Sequence, residues 1–196
     1  MNIMTIPDNK KRKIQELYSK TEDNIRRIQA VGEIFVYPVL NQWRHAAAHV
    51  FKLLDDNCNP QEADLVIDHL RSAYKDSCEI LLDFLLDNAH AFLHKYRHMR
   101  LLREEAETTS NFGRAFIDGL ICRHKIEERD EYAGEEGIRA MEDAIREIDG
   151  YDEMLRDLKP RLEAEYVSST RKKSIHFILA LILTVCVSLV LALLWR

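Results

Sequence analysis

The feature that most constrains this chain is an uncharged run at its C-terminal end. From Ser174 to Trp195 there are 22 residues with no Asp, Glu, Lys or Arg. A helix rises 1.5 Å per residue and a bilayer's hydrocarbon core is about 30 Å thick. Phe177 to Trp195 is therefore long enough to span once, and only Arg196 follows it. Arg171, Lys172 and Lys173 stand before the run, and positive flanks favour the cytoplasmic side. The pattern predicts a single transmembrane helix at the C-terminus, residues 171–196. It acts as a tail anchor in an inner, cytoplasmic membrane, with residues 1–170 in the cytoplasm. The N-terminus shows no apolar leader, since Lys10 to Lys13 follow within a few residues.

Charge divides the chain the same way. The formal net charge is −5. Residues 171–196 hold four basic residues and no acid, which leaves residues 1–170 at −9. An acidic body of this kind argues against a general nucleic-acid binder, because such binding leans on basic surface. No DNA partner is expected.

Within the run, Ala180, Thr184, Ser188 and Ala192 recur every four residues. They form one stripe of small side chains, which lets membrane helices approach closely. This predicts helix packing in a homo-oligomer. The four cysteines, Cys58, Cys78, Cys122 and Cys186, have no Cys-x-x-Cys spacing and read as reduced packing residues.

Residues 1–170 carry helical periodicity throughout. They predict an all-α cytoplasmic helical bundle. Its helices cover about 8–32, 39–55, 60–107, 112–132 and 138–148, with a sixth segment from 151 to 167. Asn59, Pro60 and Glu62 form a helix-start signal, with Glu62 placed as a capping-box residue. Gly150 reads as a helix stop.

The string Arg44-His45-Ala46-Ala47-Ala48-His49 is the most suggestive for chemistry. A neutral imidazole can take a ribose 2′-hydroxyl proton, and a guanidinium fork can stabilise a phosphorane. Arg, four residues and His, mid-helix in an all-helical domain, resembles the HEPN family (higher eukaryotes and prokaryotes nucleotide-binding). The resemblance implies Arg44, His45 and His49 as catalytic-motif residues of a metal-independent ribonuclease, with sites completed across a dimer. The pattern itself is loose: Arg171 to His176 fits it too.

Combined with a membrane anchor, the domain resembles the membrane-anchored accessory proteins of type VI-B CRISPR systems. That implies an oligomeric antiviral effector that forms a pore or perturbs the inner membrane. Its partners would be the membrane, other copies of the chain, and an RNA-guided nuclease or RNA as trigger. Two other functions fit the sequence: a membrane-tethered ribonuclease or toxin, and a tail-anchored scaffold.

His90, His94 and His98 repeat every four residues. The first and last lie about 12 Å apart along a helix, too far for one zinc ion with bonds of about 2 Å. No metal and no other cofactor is expected. Lys95, Arg97, Arg100 and Arg103 form the most basic patch of the body and offer a contact for RNA or a neighbouring subunit. No Gly-rich phosphate loop or nucleophile elbow is present.

Overall fold

A computed structural model describes residues 6–31, 36–53, 59, 61–128 and 134–194; side chains are not described at 31, 106, 127, 128, 154, 179 and 182–194. Among the described residues every element is a helix: α1 Asp8–Val31, α2 Tyr37–Leu53, α3 Glu62–Tyr96, α4 Arg100–Glu104, α5 Ala106–Glu128, α6 Glu135–Arg156 and α7 Lys159–Leu194.

The long α3 is the axis of the bundle. It packs against α1, α2, α5 and α6. Its inner face buries Leu70, Ala73, Cys78, Leu81, Leu82 and Leu86, and Ile28, Phe112, Met141 and Ile148 close on it from three other helices. α5 comes especially close. A Cβ added at Gly119 would stand 2.9 Å from Leu86 Cδ2 and 3.0 Å from Ile148 Cδ1, so only glycine fits without repacking.

Several helix limits follow the sequence expectations, and others correct them. α1 and α2 lie where periodicity put them, and Pro38 is accommodated in the first turn of α2. The helix expected over 60–107 instead stops at Tyr96. Met99 is extended and the short α4 follows. The break expected between the helices at 60–107 and 112–132 falls inside α5, which starts at Ala106. Gly150 does not end α6, which runs on to Arg156. The helix cost of one glycine, about 1 kcal/mol, is offset because the added turn buries Leu155 completely. The helix-start signal expected at Asn59, Pro60 and Glu62 lies partly outside the described residues, but Asn59 Oδ1 does accept from the Gln61 N–H at 3.0 Å.

The largest correction concerns the C-terminal run. Among the described residues, no helix is long and apolar enough to cross a membrane. This overturns the expected single transmembrane helix and, with it, the inner-membrane location. The reason is continuity. The run is the distal part of α7, not a separate apolar element. The nearer part of α7 carries Lys159, Arg161, Glu163, Glu165, Arg171, Lys172 and Lys173, and it docks on the body through Leu162 and Tyr166. Of the small-residue stripe, Ala180 is exposed, while the side chains of Thr184, Ser188 and Ala192 lie outside the described residues. So do those of Cys58 and Cys186. Cys78 is buried and Cys122 half-buried, both as free thiols. Burial pushes the Cys78 thiol up to about 11.

Candidate functional site

α2 and α3 form an antiparallel pair around a short connection, so residues equally far from that connection meet. His49 faces Glu62, and His45 and Gln42 face His69. His49 Nδ1 lies 2.5 Å from Glu62 Oε2. A carboxylate accepts only, so Nδ1 carries the proton and donates it, leaving Nε2 on the far side of the ring. Both side chains are largely shielded, at 17% and 15% exposure. Lys52 Nζ stands 3.8 Å from the same Glu62 oxygen.

His69 is wedged between the other two imidazoles. Its ring is stacked on His45 at 5.3 Å and on His49 at 5.2 Å between centroids. Its Nδ1 is 3.0 Å from Gln42 Oε1, and the amide oxygen accepts. Burial first, then the neighbouring His49 and His45, hold His69 below the ordinary imidazole value. Asp68 opposes them without prevailing. His69 is thus biased towards its neutral form.

Glu62 was expected to cap its own helix. It reaches to α2 instead, because the cap acceptor is supplied upstream by Asn59. Sequence reasoning found His45 and His49 but missed Glu62 in this role, and missed His69 altogether. The signal was present in the pairing of α2 with α3 across their connection.

Arg44 stands apart from this cluster. Five residues rotate a helix by about 500°, so Arg44 and His49 point about 140° apart. Arg44 is exposed and donates to Asn41 Oδ1 at 2.8 Å. It shares the outer face of α2 with Leu40 and Phe51, and Phe51 is 73% exposed. Within one chain, the guanidinium and the His49 ring therefore cannot grip the same phosphate. The motif's two ends face different surroundings.

The other expected sites resolve differently. Lys95 is held by Glu163 Oε2 at 2.6 Å and lies over the rings of Tyr96 and Tyr166. Glu163 also accepts from Tyr96 Oη at 2.5 Å. Arg100 pairs with Glu104 at 3.2 Å, while Arg97 and Arg103 are exposed. Part of that basic patch thus serves to dock α7. The structure does not bring His90, His94 and His98 together as a site: His90 and His94 lie tilted at 6.2 Å, and His90 stacks on Phe116. Among the described residues, no group of three or more metal-ligating side chains could hold an ion. The N-terminal lysines pair on the protein surface, Lys10 with Asp64 at 2.6 Å, and Lys11 and Lys13 with neighbours in α1.

A groove of about 750 Å³ lies elsewhere, floored by Leu81, Phe92 and Phe112 and rimmed by the Arg27–Asp149 and Lys159–Asp152 pairs. Nothing in the sequence pointed to it. Compared with family models, with characterised proteins and with solved structures, the chain gives no significant match.

Proposed function

We propose that the chain is a homo-oligomeric effector of prokaryotic antiviral defence, of the kind that works beside an RNA-guided nuclease, and that its α2 motif serves assembly rather than RNA cleavage within one chain. The observation that carries this reading is the divergence of the motif. His49 is tied to Glu62 on the inner flank of α2, while Arg44 stands outside among exposed apolar side chains. A second exposed apolar stripe, Ile117, Leu120 and Ile121, runs along α5. Two such faces on one small body favour burial against other copies. The resemblance of Arg44 to His49 to the HEPN motif supplies the link to defence.

The test combines particle mass with protection. Light scattering should report several copies for the wild type and fewer for Phe51→Asp. In cells carrying the guided nuclease, the same change should lower resistance to phage. A wild-type monomer at micromolar concentration, with protection unaffected by Phe51→Asp, would overturn the proposal.

The His49–Glu62 contact favours a second reading, a metal-independent ribonuclease. It orients the imidazole through Nδ1 and leaves Nε2 as the atom that would take a proton from substrate. Arg44 would then have to come from another copy. Cleavage of single-stranded RNA in the presence of EDTA, abolished by His49→Ala and by Arg44→Ala alike, would establish it. No cleavage by the assembled wild type would remove it.

A further inference from the structure

We propose that the histidine seam between α2 and α3 is an acid-opened latch, which holds α2 on the bundle at neutral pH and releases it when the three imidazoles take up protons. The geometry is specific. Three rings form one stack across the helix–helix boundary, with His69 of α3 between His45 and His49 of α2. Neutral rings pack well in this arrangement. Charged rings at 5.2 and 5.3 Å repel.

The surrounding charges compensate only in part. On α2 the described groups facing the seam are Gln42, His45, His49 and Lys52; on α3 they are Glu62, Asp68 and His69. Asp68 is already shared with Arg71 at 3.3 Å. α1 contributes Tyr18, stacked on Trp43, while its Lys10 is engaged with Asp64. Glu62 faces His49 and would offset a charge there, so the charges that protons would place on the stacked His45 and His69 are the ones left without a partner among these groups. The suppressed basicity of His69 reports the same strain from the neutral side.

Of the described side chains of α2, Val39 and Ala46 are buried and Trp43 and Leu53 pack partly buried against the core, whereas Leu40, Val50 and Phe51 are exposed. The apolar packing that opposes release is thus confined to the inner flank of the helix. Release would free the inner flank of α2 together with Trp43, and would reorient the outer face that carries Arg44 and Phe51.

Amide hydrogen exchange over residues 37–53 tests the latch, corrected for the intrinsic pH dependence of exchange. Trp43 fluorescence in a Trp195→Phe background gives an independent readout. Between pH 7.5 and 5.5, exchange in α2 should rise about tenfold, while α3 and α6 stay protected. His69→Phe keeps a ring in the stack that cannot charge, and should abolish the rise. His45→Asn should weaken it, and it decides the matter if the first variant does not fold at pH 7.5. Unchanged α2 exchange in the wild type would overturn the latch, as would a wild-type response in the folded variants.

Discussion

α3 carries two polar clusters, and they are built on opposite principles. On its α2 side are three imidazoles with one well-placed carboxylate. On its α1 and α6 side, Glu142 accepts from both Tyr74 Oη and Lys20 Nζ, the latter at 2.9 Å. Beside them Asn24 donates to Ser77 Oγ at 3.0 Å, and Ser77 donates to the Tyr74 carbonyl at 2.7 Å. Burial alone would raise the Glu142 carboxyl, but the hydrogen bonds from Tyr74 and Lys20 outweigh it and set the group below its ordinary value. Tyr74 is pushed far up, by burial first and then by Glu142. Here charge, donor and acceptor are matched. In the histidine seam, bases outnumber acids. A matched cluster fixes helices in place, and an unmatched one makes their contact conditional on protons.

The largest test of the contrast is on the matched side. Tyr74 is 6% exposed and packs in the main core. Tyr74→Ala should cost about 3–5 kcal/mol in chemical denaturation, since it leaves a cavity and strips Glu142 of a donor. Tyr74→Phe keeps the ring and should cost only about 1 kcal/mol. A small effect of Tyr74→Ala would mean that this cluster does not lock α1, α3 and α6 together.

How much of this was legible in the sequence differs between the clusters. The apolar periodicity of α1 and α3 marked part of the core, Ile28, Leu70, Cys78 and Leu81 among it, whereas Leu40, Val50 and Phe51, apolar at helical spacing on α2, are exposed, and Val39 and Ala46 are buried there instead. The break after Tyr96 was not legible, because its determinant is distant. Glu165 accepts from the backbone N–H of Arg100 at 2.8 Å and of Leu101 at 3.2 Å, so the start of α4 is capped from α7. No local capping pattern encodes that. The Arg44 and His49 spacing was legible as a motif, but one-dimensional spacing hid their divergence around the helix. His69 needed the pairing of two helices, which a scan along one helix does not supply. The apolar run was plain as composition. Its continuity with the charged, docked start of α7 was not.

On the histidine side, Glu62→Gln removes the carboxylate that accepts from His49 of the seam. Stability should fall by about 1–2 kcal/mol, because the His49 ring loses the carboxylate that accepts from it. The acid release of α2 should also begin at a higher pH, because one compensating charge is gone. A variant indistinguishable from wild type in urea melts at pH 6 would erase the distinction between the two clusters.

The acid profile separates them next. The folded state holds His69 below the ordinary imidazole value, so the unfolded chain binds more protons just under pH ~6.5, and stability falls as pH drops through that window. Glu142 has a lowered value in the folded state. Its contribution is present above the ordinary glutamate value of ~4.3 and is lost only as pH falls further. Acid titration followed by hydrogen exchange should therefore show two steps, α2 first and α1 with α6 later. A single step near pH 4 would show that the seam is not the weaker contact.

The smallest effect marks the edge of the comparison. Lys10 meets Asp64 at 2.6 Å beside the first turn of α3, close in sequence to Glu62 but turned towards α1. Asp64 is 56% exposed, so water screens the pair. Lys10→Ala should change stability by less than about 0.5 kcal/mol and leave the acid midpoint of α2 where it is. A shifted midpoint, read by Trp43 fluorescence, would bring the start of α1 into the latch. The boundary of the responsive region would then have to include the whole N-terminal end of α3, because Asp64 and Glu62 lie in the same helical turn and would act on the seam together.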